Sequence, residues 1–441
     1  MMATKKKVRS ISKAKPSAKV SPRSTVKKAR APAQKPSRAK GAKALSGLRV
    51  LDCATYIAGP YCATILAEFG ADVIKIEMPG VGDLARKLGT QTPAGDTLVW
   101  LSEARNKKSL TLNLKNEAGA RTLKQLVKHA DVLVENFQPG TLESWGLGWK
   151  TLKRINPRLV MVRISAYGQT GPLSPRPGFG RIANAFGGIS YLAGFPDLPP
   201  VTPGSATLAD YMSGLYGAIG AFVALQALER TGKGQVVDIG LYESIFRILD
   251  ELAPAYHYKG YVRQRMGPGT VNVVPHSHYP TQDGRWVAIA CTNDKIFARL
   301  AAIMSRADVA GDGKWGTIRQ READRAAVDA FVTDWTKQLT RGELISKCDE
   351  GQVPCGPVYA IDEIFDDPQY RARENIKLVK ESRVPGATEF AVPNVMPRLT
   401  ETPGAVEWLG PALGAHTEAV LKDWLAMSAA QIAKLRVAGA I

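Results

Sequence analysis

Asp210 lies in the run Gly204-Ser-Ala-Thr-Leu-Ala-Asp-Tyr-Met-Ser-Gly214, a lone carboxylate among small and hydroxylated residues. It heads a segment, residues 211–228, that contains no charged side chain. An ionised carboxylate in such a niche can attack an electrophilic carbonyl, as aspartyl nucleophiles do. If the segment is a helix, the positive end of its dipole favours the ionised form. Asp is also a preferred helix N-cap, so the local residues leave two roles open, cap and nucleophile.

The other chemistry-bearing residues form no compact constellation. The five cysteines (53, 62, 291, 348, 355) lack Cys-x-x-Cys spacing, and the five histidines (129, 257, 276, 278, 416) lack a His-Glu-x-x-His pattern. No metal site is expected, and so few, scattered cysteines suit reduced thiols and a cytoplasmic setting. Arg263-Gln-Arg265-Met-Gly267-Pro-Gly269 is a basic, glycine-rich loop. Gly267 and Gly269 could bring backbone N–H groups close to a developing oxyanion. Arg263, Arg265, His276 and His278 would suit an acidic acceptor such as a dicarboxylate, or equally form a solvated basic loop.

The net charge of +19 resembles that of a nucleic-acid binder, but it is concentrated. Residues 1–44 hold 15 of the 59 basic residues and none of the 40 acids, so the remainder is near neutral. This Ala-, Lys-, Pro- and Ser-rich tail cannot bury enough surface to fold and reads as disordered. A polycationic arm of this kind would contact nucleic acid nonspecifically and with strong salt dependence. The uncharged segment 211–228 is long enough to be tested as a membrane span. Its glycines recur at 214, 217 and 220, and a strand-like segment from Gln235 to Ile239 follows at once. A buried core helix, with no membrane contact, is the expectation.

The elements that must position Asp210 alternate between strand and helix. Strands are expected at Leu48–Leu51, Val73–Ile76, Ser109–Leu114, Val132–Val134 and Leu159–Ile164. A helix should run from Ala58-Gly59-Pro60 to Phe69, stopped by Gly70, and another from Asn116-Glu117 to about His129. Repeated strand–helix–strand units predict an α/β fold with a mostly parallel sheet. Beyond residue 260 the texture changes to a hairpin over Tyr279–Ala290 and helices around 294–304 and 321–350. This gives a basic tail at 1–44, a large domain at 45–259, a smaller α+β domain at 260–370, and a segment at 371–441 that returns to the large domain. Neither the dinucleotide fingerprint, the Walker A loop nor the Gly-x-Ser-x-Gly elbow is present.

Several motifs occur in a specific order. They are Leu51-Asp52 with Ala58-Gly59-Pro60, Gly70-Ala-Asp-Val-Ile-Lys75-Ile-Glu77, and Asn106-Lys107-Lys108-Ser109 leading to Leu112-Asn113-Leu114-Lys115. Then come Asp131-Val-Leu-Val-Glu135-Asn136-Phe137-Gln138-Pro139-Gly140, Ile164-Ser-Ala-Tyr167-Gly168-Gln169-Thr170-Gly171-Pro172, Val353-Pro354-Cys-Gly356-Pro357-Val358 and Gly414-Ala-His416-Thr417. Through them the chain from Leu45 onward resembles the family III CoA-transferases, of the formyl-CoA transferase and carnitine CoA-transferase type.

The resemblance implies a Rossmann-like large domain built from both chain ends, an inserted smaller domain and an interlocked homodimer. It implies an acyl-CoA:carboxylate CoA-transferase without a permanently bound cofactor, using the coenzyme A thioester as substrate. The family's catalytic carboxylate falls on Asp210, which would pass through an aspartyl-CoA thioester. The CoA site would include Ala58, Leu112, Asn113, Lys115, Asn136 and Phe137. Three positions depart from the family pattern: Ile57 for Gln, Ser144 for a basic residue and Ala415 for Glu. The related α-methylacyl-CoA racemases use a His-Asp pair beside the turn that here reads Pro177-Gly178-Phe179-Gly180. Racemization needs an acid and a base, and Phe179 and Gly180 can be neither.

Overall fold

The computed structural model describes residues 43–205, 207–381, 383 and 388–441, so the basic tail up to residue 42 lies outside the described residues. Six strands form the main sheet: β1 (Arg49–Asp52), β2 (Asp72–Glu77), β3 (Lys107–Thr111), β4 (Val132–Glu135), β5 (Val160–Ser165) and β6 (Val236–Gly240). Their order is β3-β2-β1-β4-β5-β6, and every neighbouring pair is parallel. The chain therefore has the expected mixed α/β fold. Its strand order reverses between β1 and β4, which opens a crevice at their carboxyl ends.

Alternate residues of each strand supply opposite faces of the sheet, as the two-residue strand period requires. Val50, Val132, Val134, Val160 and Val162 enter one core, and Leu51, Leu133 and Met161 enter the other. Both faces are covered, which is why β4 and β5 read as continuous buried runs. The first face carries the helix Ala58–Glu68 and the long helix Leu208–Thr231. The second carries the helix Glu117–Val127, capped by the Asn116 side chain.

Residues near the C-terminus contribute to both cores. Val379, Val392, Val395, Val406 and Leu409 join the first, and Val420, Leu421, Trp424 and Ile432 join the second. Between them, β7 (His276–Pro280), β8 (Trp286–Ala290) and β9 (Cys355–Pro357) form an antiparallel sheet with its own core around Tyr279, Phe297, Leu300 and Val332. A separate hairpin pairs β10 (Ile376–Lys380) with β11 (Glu389–Pro393).

Three expectations need correction. The strand expected at Ser109–Leu114 is β3, ending at Thr111, because the Asn113 N–H turns away to the carbonyl of Ala440 at 2.8 Å. The stretch 321–350 is not one helix but parts of three, broken at Asp324 and at Thr340, whose hydroxyl caps the last with Glu343 in reciprocal contact. The long helix is a core helix on one face only. Leu215, Ile219, Phe222 and Val223 on its other side are exposed. Among the described residues it is the one helix long and apolar enough to cross a membrane by length and composition, but its glycine face packs on the sheet's own layer.

Candidate active site

The crevice at the strand-order reversal is built by the segments that leave β1 and β4. Asn136, one residue past β4, uses its side-chain amide as a clasp. Its Oδ1 accepts from the Thr55 N–H at 2.7 Å and its Nδ2 donates to the Thr55 carbonyl at 2.7 Å. Gly59 makes this closeness possible, since a Cβ there would stand 2.3 Å from the Ala54 Cβ. Tyr56, between them, adopts a left-handed backbone (φ +63°), a conformation rare outside glycine and asparagine. Its N–H is held by Asp83 Oδ1 at 3.0 Å.

A buried ion network supports this turn from below. Lys107 donates to Asp52 at 2.8 Å and to the Pro60 carbonyl at 2.7 Å. Lys75 pairs with Asp83 at 2.7 Å and donates to the Ala54 carbonyl. All of these charged side chains are almost completely buried. Burial pushes the Asp52 carboxyl up, yet Lys107 and Lys75 together hold it below the usual carboxylate range. Burial holds Lys107 somewhat below an ordinary lysine, against the pull of Asp52. The motif residues Asp52, Lys75 and Lys107 thus hold the walls of the crevice rather than reach into it.

Asp210 enters the crevice from the long helix. Thr207 occupies the cap position, so Asp210 is the third helical residue and not the N-cap. It stays within the first turn, where the dipole favours its charge. Burial is the larger effect and pushes its carboxyl from 3.8 up to about 6, against the pull of its own backbone N–H. Near pH 7 the group is therefore mostly ionised, yet more basic than a solvated carboxylate. The neighbouring Ala209 is fully buried, and Ser213 shares a 2.7 Å hydroxyl contact with Ser244.

These elements enclose a cavity of about 290 Å³ lined by, among others, Tyr56, Ala58, Asn136, Phe137, Arg176, Phe179 and Asp210. Asp210 is the one carboxylate and Arg176 the one cation among its lining residues. Of the expected site residues, Ala58, Asn136 and Phe137 thus meet Asp210 at one cavity. Leu112, Asn113 and Lys115 do not line it. They follow β3 on the same carboxyl edge, with Leu112 only 1% exposed, Asn113 half-buried and Lys115 exposed. Asn113 Oδ1 accepts from the Lys115 N–H at 3.1 Å.

The glycines of the expected oxyanion loop do not line this cavity. The Gly267 N–H donates to the Gly194 carbonyl at 3.0 Å and that of Gly269 to the Met266 carbonyl at 3.1 Å, so neither donor is presented to the cavity. Two loop cations are likewise engaged. Arg263 pairs with Asp250 and Glu251 at 2.9 and 3.1 Å, and Arg265 donates to the Tyr191 carbonyl at 2.9 Å. Tyr56 and Arg176 are cavity residues outside the quoted motifs, and Gln138 is a motif residue to which no role was given. For Arg176 the only sequence signal is a cation flanked by two prolines, immediately before the Gly178-Phe179-Gly180 turn.

The departures are structurally quiet. Ile57 is buried, the Ser144 hydroxyl donates to the Thr141 carbonyl at 2.7 Å, and the Ala415 N–H donates to the Ala412 carbonyl. The terminal motif staples the chain end to β3, with Ser109 N–H donating to His416 Nδ1 at 3.2 Å and Thr111 N–H to Thr417 Oγ1 at 3.1 Å.

Comparison with known proteins gives a consistent result. Residues 45–417 match the family model described as CoA-transferase family III. The chain is 53% identical over 393 residues to the succinyl-CoA–L-malate CoA-transferase beta subunit of Chloroflexus aurantiacus, covering 89% of this chain and 96% of that one. It is 43% identical over 392 residues to the succinyl-CoA–D-citramalate CoA-transferase of the same organism, again covering 89% and 96%. Among solved structures, a CAIB/BAIF family protein from Brucella suis aligns with a TM-score of 0.76 and 33% identity, over 87% of this chain and 99% of that one.

Proposed function

Because the chain belongs to CoA-transferase family III and is a CoA-transferase, we propose that it moves CoA from succinyl-CoA to a short hydroxydicarboxylate such as malate, with Asp210 as the covalent carrier. The observation that carries this reading is that Asp210 alone supplies a carboxylate to the cavity at the sheet's reversal point. The donor and acceptor class rests on the relatives, two of which are named for succinyl-CoA with malate or citramalate.

The ionised Asp210 oxygen attacks the thioester carbon, the C–S bond breaks, and CoA leaves as thiolate with a mixed anhydride on Asp210. The thiolate then attacks Asp210 Cγ, the Cγ–O bond to the donor acyl group breaks, and succinate departs from an aspartyl-CoA thioester. The acceptor carboxylate attacks the same Cγ and releases the thiolate. The thiolate attacks the acceptor's carbonyl carbon and frees both the new acyl-CoA and the Asp210 carboxylate. No proton needs to be gained or lost overall, and each stage exchanges groups of similar energy. A carboxylate raised to about 6 suits the role, being ionised at neutral pH while remaining a better nucleophile than a solvated one.

In this reading Ala58, Asn136 and Phe137 line the wall beside the thioester, while Leu112, Asn113 and Lys115 meet the nucleotide end along the β3 edge. Gly267 and Gly269 are left out as oxyanion donors because their amides are already bonded. We further place a second copy of the chain over the exposed apolar residues Leu215, Ile219, Phe222 and Val223, an unfavourable surface to leave in water. The domain division at 45–259, 260–370 and 371–441 is kept, and so is a cytoplasmic setting. A racemase reading finds no support, since Phe179 and Gly180 occupy the positions of its acid–base pair.

The test is to incubate the enzyme with succinyl-CoA alone and weigh the peptide that contains Asp210. The expected result is CoA attached to that peptide, and no adduct or turnover in a folded Asp210→Ala variant. A fully active Asp210→Ala protein would sink the mechanism.

A further inference from the structure

We propose that Arg176 forms a subsite for a second, non-reacting carboxylate of the substrate, so that the enzyme prefers dicarboxylates to monocarboxylates. The inference rests on the reading that Asp210 reacts in the same cavity.

Arg176 is the one cation lining that cavity, and its exposed guanidinium has no anionic partner among the described residues. None of the other cations of the neighbouring loop and sheet lines the cavity. Arg263 is held by Asp250 and Glu251, Arg265 by the Tyr191 carbonyl, and Arg163 by Glu135 and Glu143.

The backbone under Arg176 is firmly placed. Pro175 and Pro177 flank it and restrict its conformation. Its N–H donates to the Leu173 carbonyl at 2.9 Å, and Gln138, from the segment after β4, donates to the Pro175 carbonyl. Gly178 seats the turn against Ala166, where a Cβ would come within 2.7 Å of the Ala166 Cβ. A guanidinium on a stiff turn pre-pays part of the entropy of a bidentate carboxylate contact.

A CoA phosphate would present similar anion chemistry to Arg176. The cavity favours the carboxylate. At about 290 Å³ it lies at the small end of ligand sites, suited to an acyl group rather than a nucleotide. Asp210 and Arg176 share it, which assigns the reacting end of a short diacid to one and the free end to the other.

The experiment measures KM and kcat for succinyl-CoA against butyryl-CoA as donors, and for malate against butyrate as acceptors, in wild type, Arg176→Gln and Arg176→Lys. Loss of a charge-assisted contact predicts a KM rise of about 10- to 100-fold for succinyl-CoA and malate in Arg176→Gln. The butyryl-CoA and butyrate constants should move far less, and Arg176→Lys should recover part of the loss. A rise of equal size for succinyl-CoA and butyryl-CoA, with the malate and butyrate constants unmoved, would assign Arg176 to the CoA phosphates and overturn the proposal. So would an unchanged discrimination in Arg176→Gln, or a wild type without preference. The CoA adduct on the Asp210 peptide, weighed in the same proteins, separates the two readings. Absence of the adduct in wild type defeats the Asp210 mechanism, whereas an adduct with unaltered discrimination in Arg176→Gln defeats this inference alone.

Discussion

Gly214 lies one helical turn below Asp210 and rests directly against Ala58. A Cβ at Gly214 would stand 2.6 Å from the Ala58 carbonyl oxygen and 2.9 Å from Tyr61 Cδ1. Residues four apart share a helix face, so the same contact that seats Gly214 sets Asp210 over the crevice. Within the chain, the glycine steps of this helix meet the helix Ala58–Glu68, Ile164 of β5 and Val237 of β6.

Gly214→Ala should therefore destabilise the protein although alanine is the better helix former. The propensity gain of about 1 kcal/mol is outweighed by a clash with backbone that cannot rotate away, for a net loss of roughly 1–2 kcal/mol. Turnover should fall by more than the folded fraction does, because Asp210 is displaced. Chemical denaturation alongside kcat checks both.

Turnover should decline as pH falls through about 6, when Asp210 takes up a proton. The stability effect runs in the opposite direction. The folded pKa lies above the ordinary 3.8, so the stabilisation linked to the bound proton is complete below 3.8 and lost as pH rises through about 6. Asp210→Asn should approach wild-type stability near pH 4 and exceed it by up to about 2–3 kcal/mol at pH 8. Denaturation series at the two pH values measure the difference.

Lys107→Met should cost about 3–5 kcal/mol, since it leaves the fully buried Asp52 with the Ala54 N–H and with Lys75, 3.6 Å away, as its remaining cation. Adding Asp52→Asn should recover part of that loss. Urea unfolding of the single and double variants reads the coupling.

Asn136→Ala should open the clasp between the β1 and β4 segments. Losing its bonds to both backbone groups of Thr55 should lower stability by roughly 1–3 kcal/mol. KM for acyl-CoA should rise, because Thr55 and Tyr56 line the cavity. An unchanged KM in the folded variant would show that the clasp does not shape the site.

Removal of residues 1–42 should leave turnover unchanged and abolish any salt-sensitive retention on DNA. The cut spares Lys43, which pairs with Glu407 at 2.6 Å. Loss of turnover on truncation would tie the tail to the chemistry.

The parallel sheet was legible because β4 and β5 are apolar on both faces, leaving no alternation to misread. β3 was misjudged because Leu112 and Leu114 continue an alternating pattern past the true strand end. Both are buried in the second core, while the chain end bonds beside them, Ala440 and Ala438 accepting from Asn113 and Asn116. In the glycine loop, composition allows close backbone approach but does not say which carbonyl each amide meets: Gly269 bonds within the loop to Met266, and Gly267 to Gly194, far away along the chain.

By itself the sequence determined the α/β class and the segregation of positive charge into the first 44 residues, which follow from local periodicity and composition along the chain. At Asp210 the neighbouring residues left cap and nucleophile open, and only the resemblance carried by the ordered motifs singled it out for covalent chemistry. Only the tertiary structure decided that burial at Asp210 outweighs the pull of its own backbone N–H. Only it decided that Asp52, Lys75 and Lys107 neutralise one another beneath the site, and that Arg176 is the one cation among the residues lining the cavity. Desolvation and charge pairing depend on distances between residues far apart in sequence, and folding alone sets those distances.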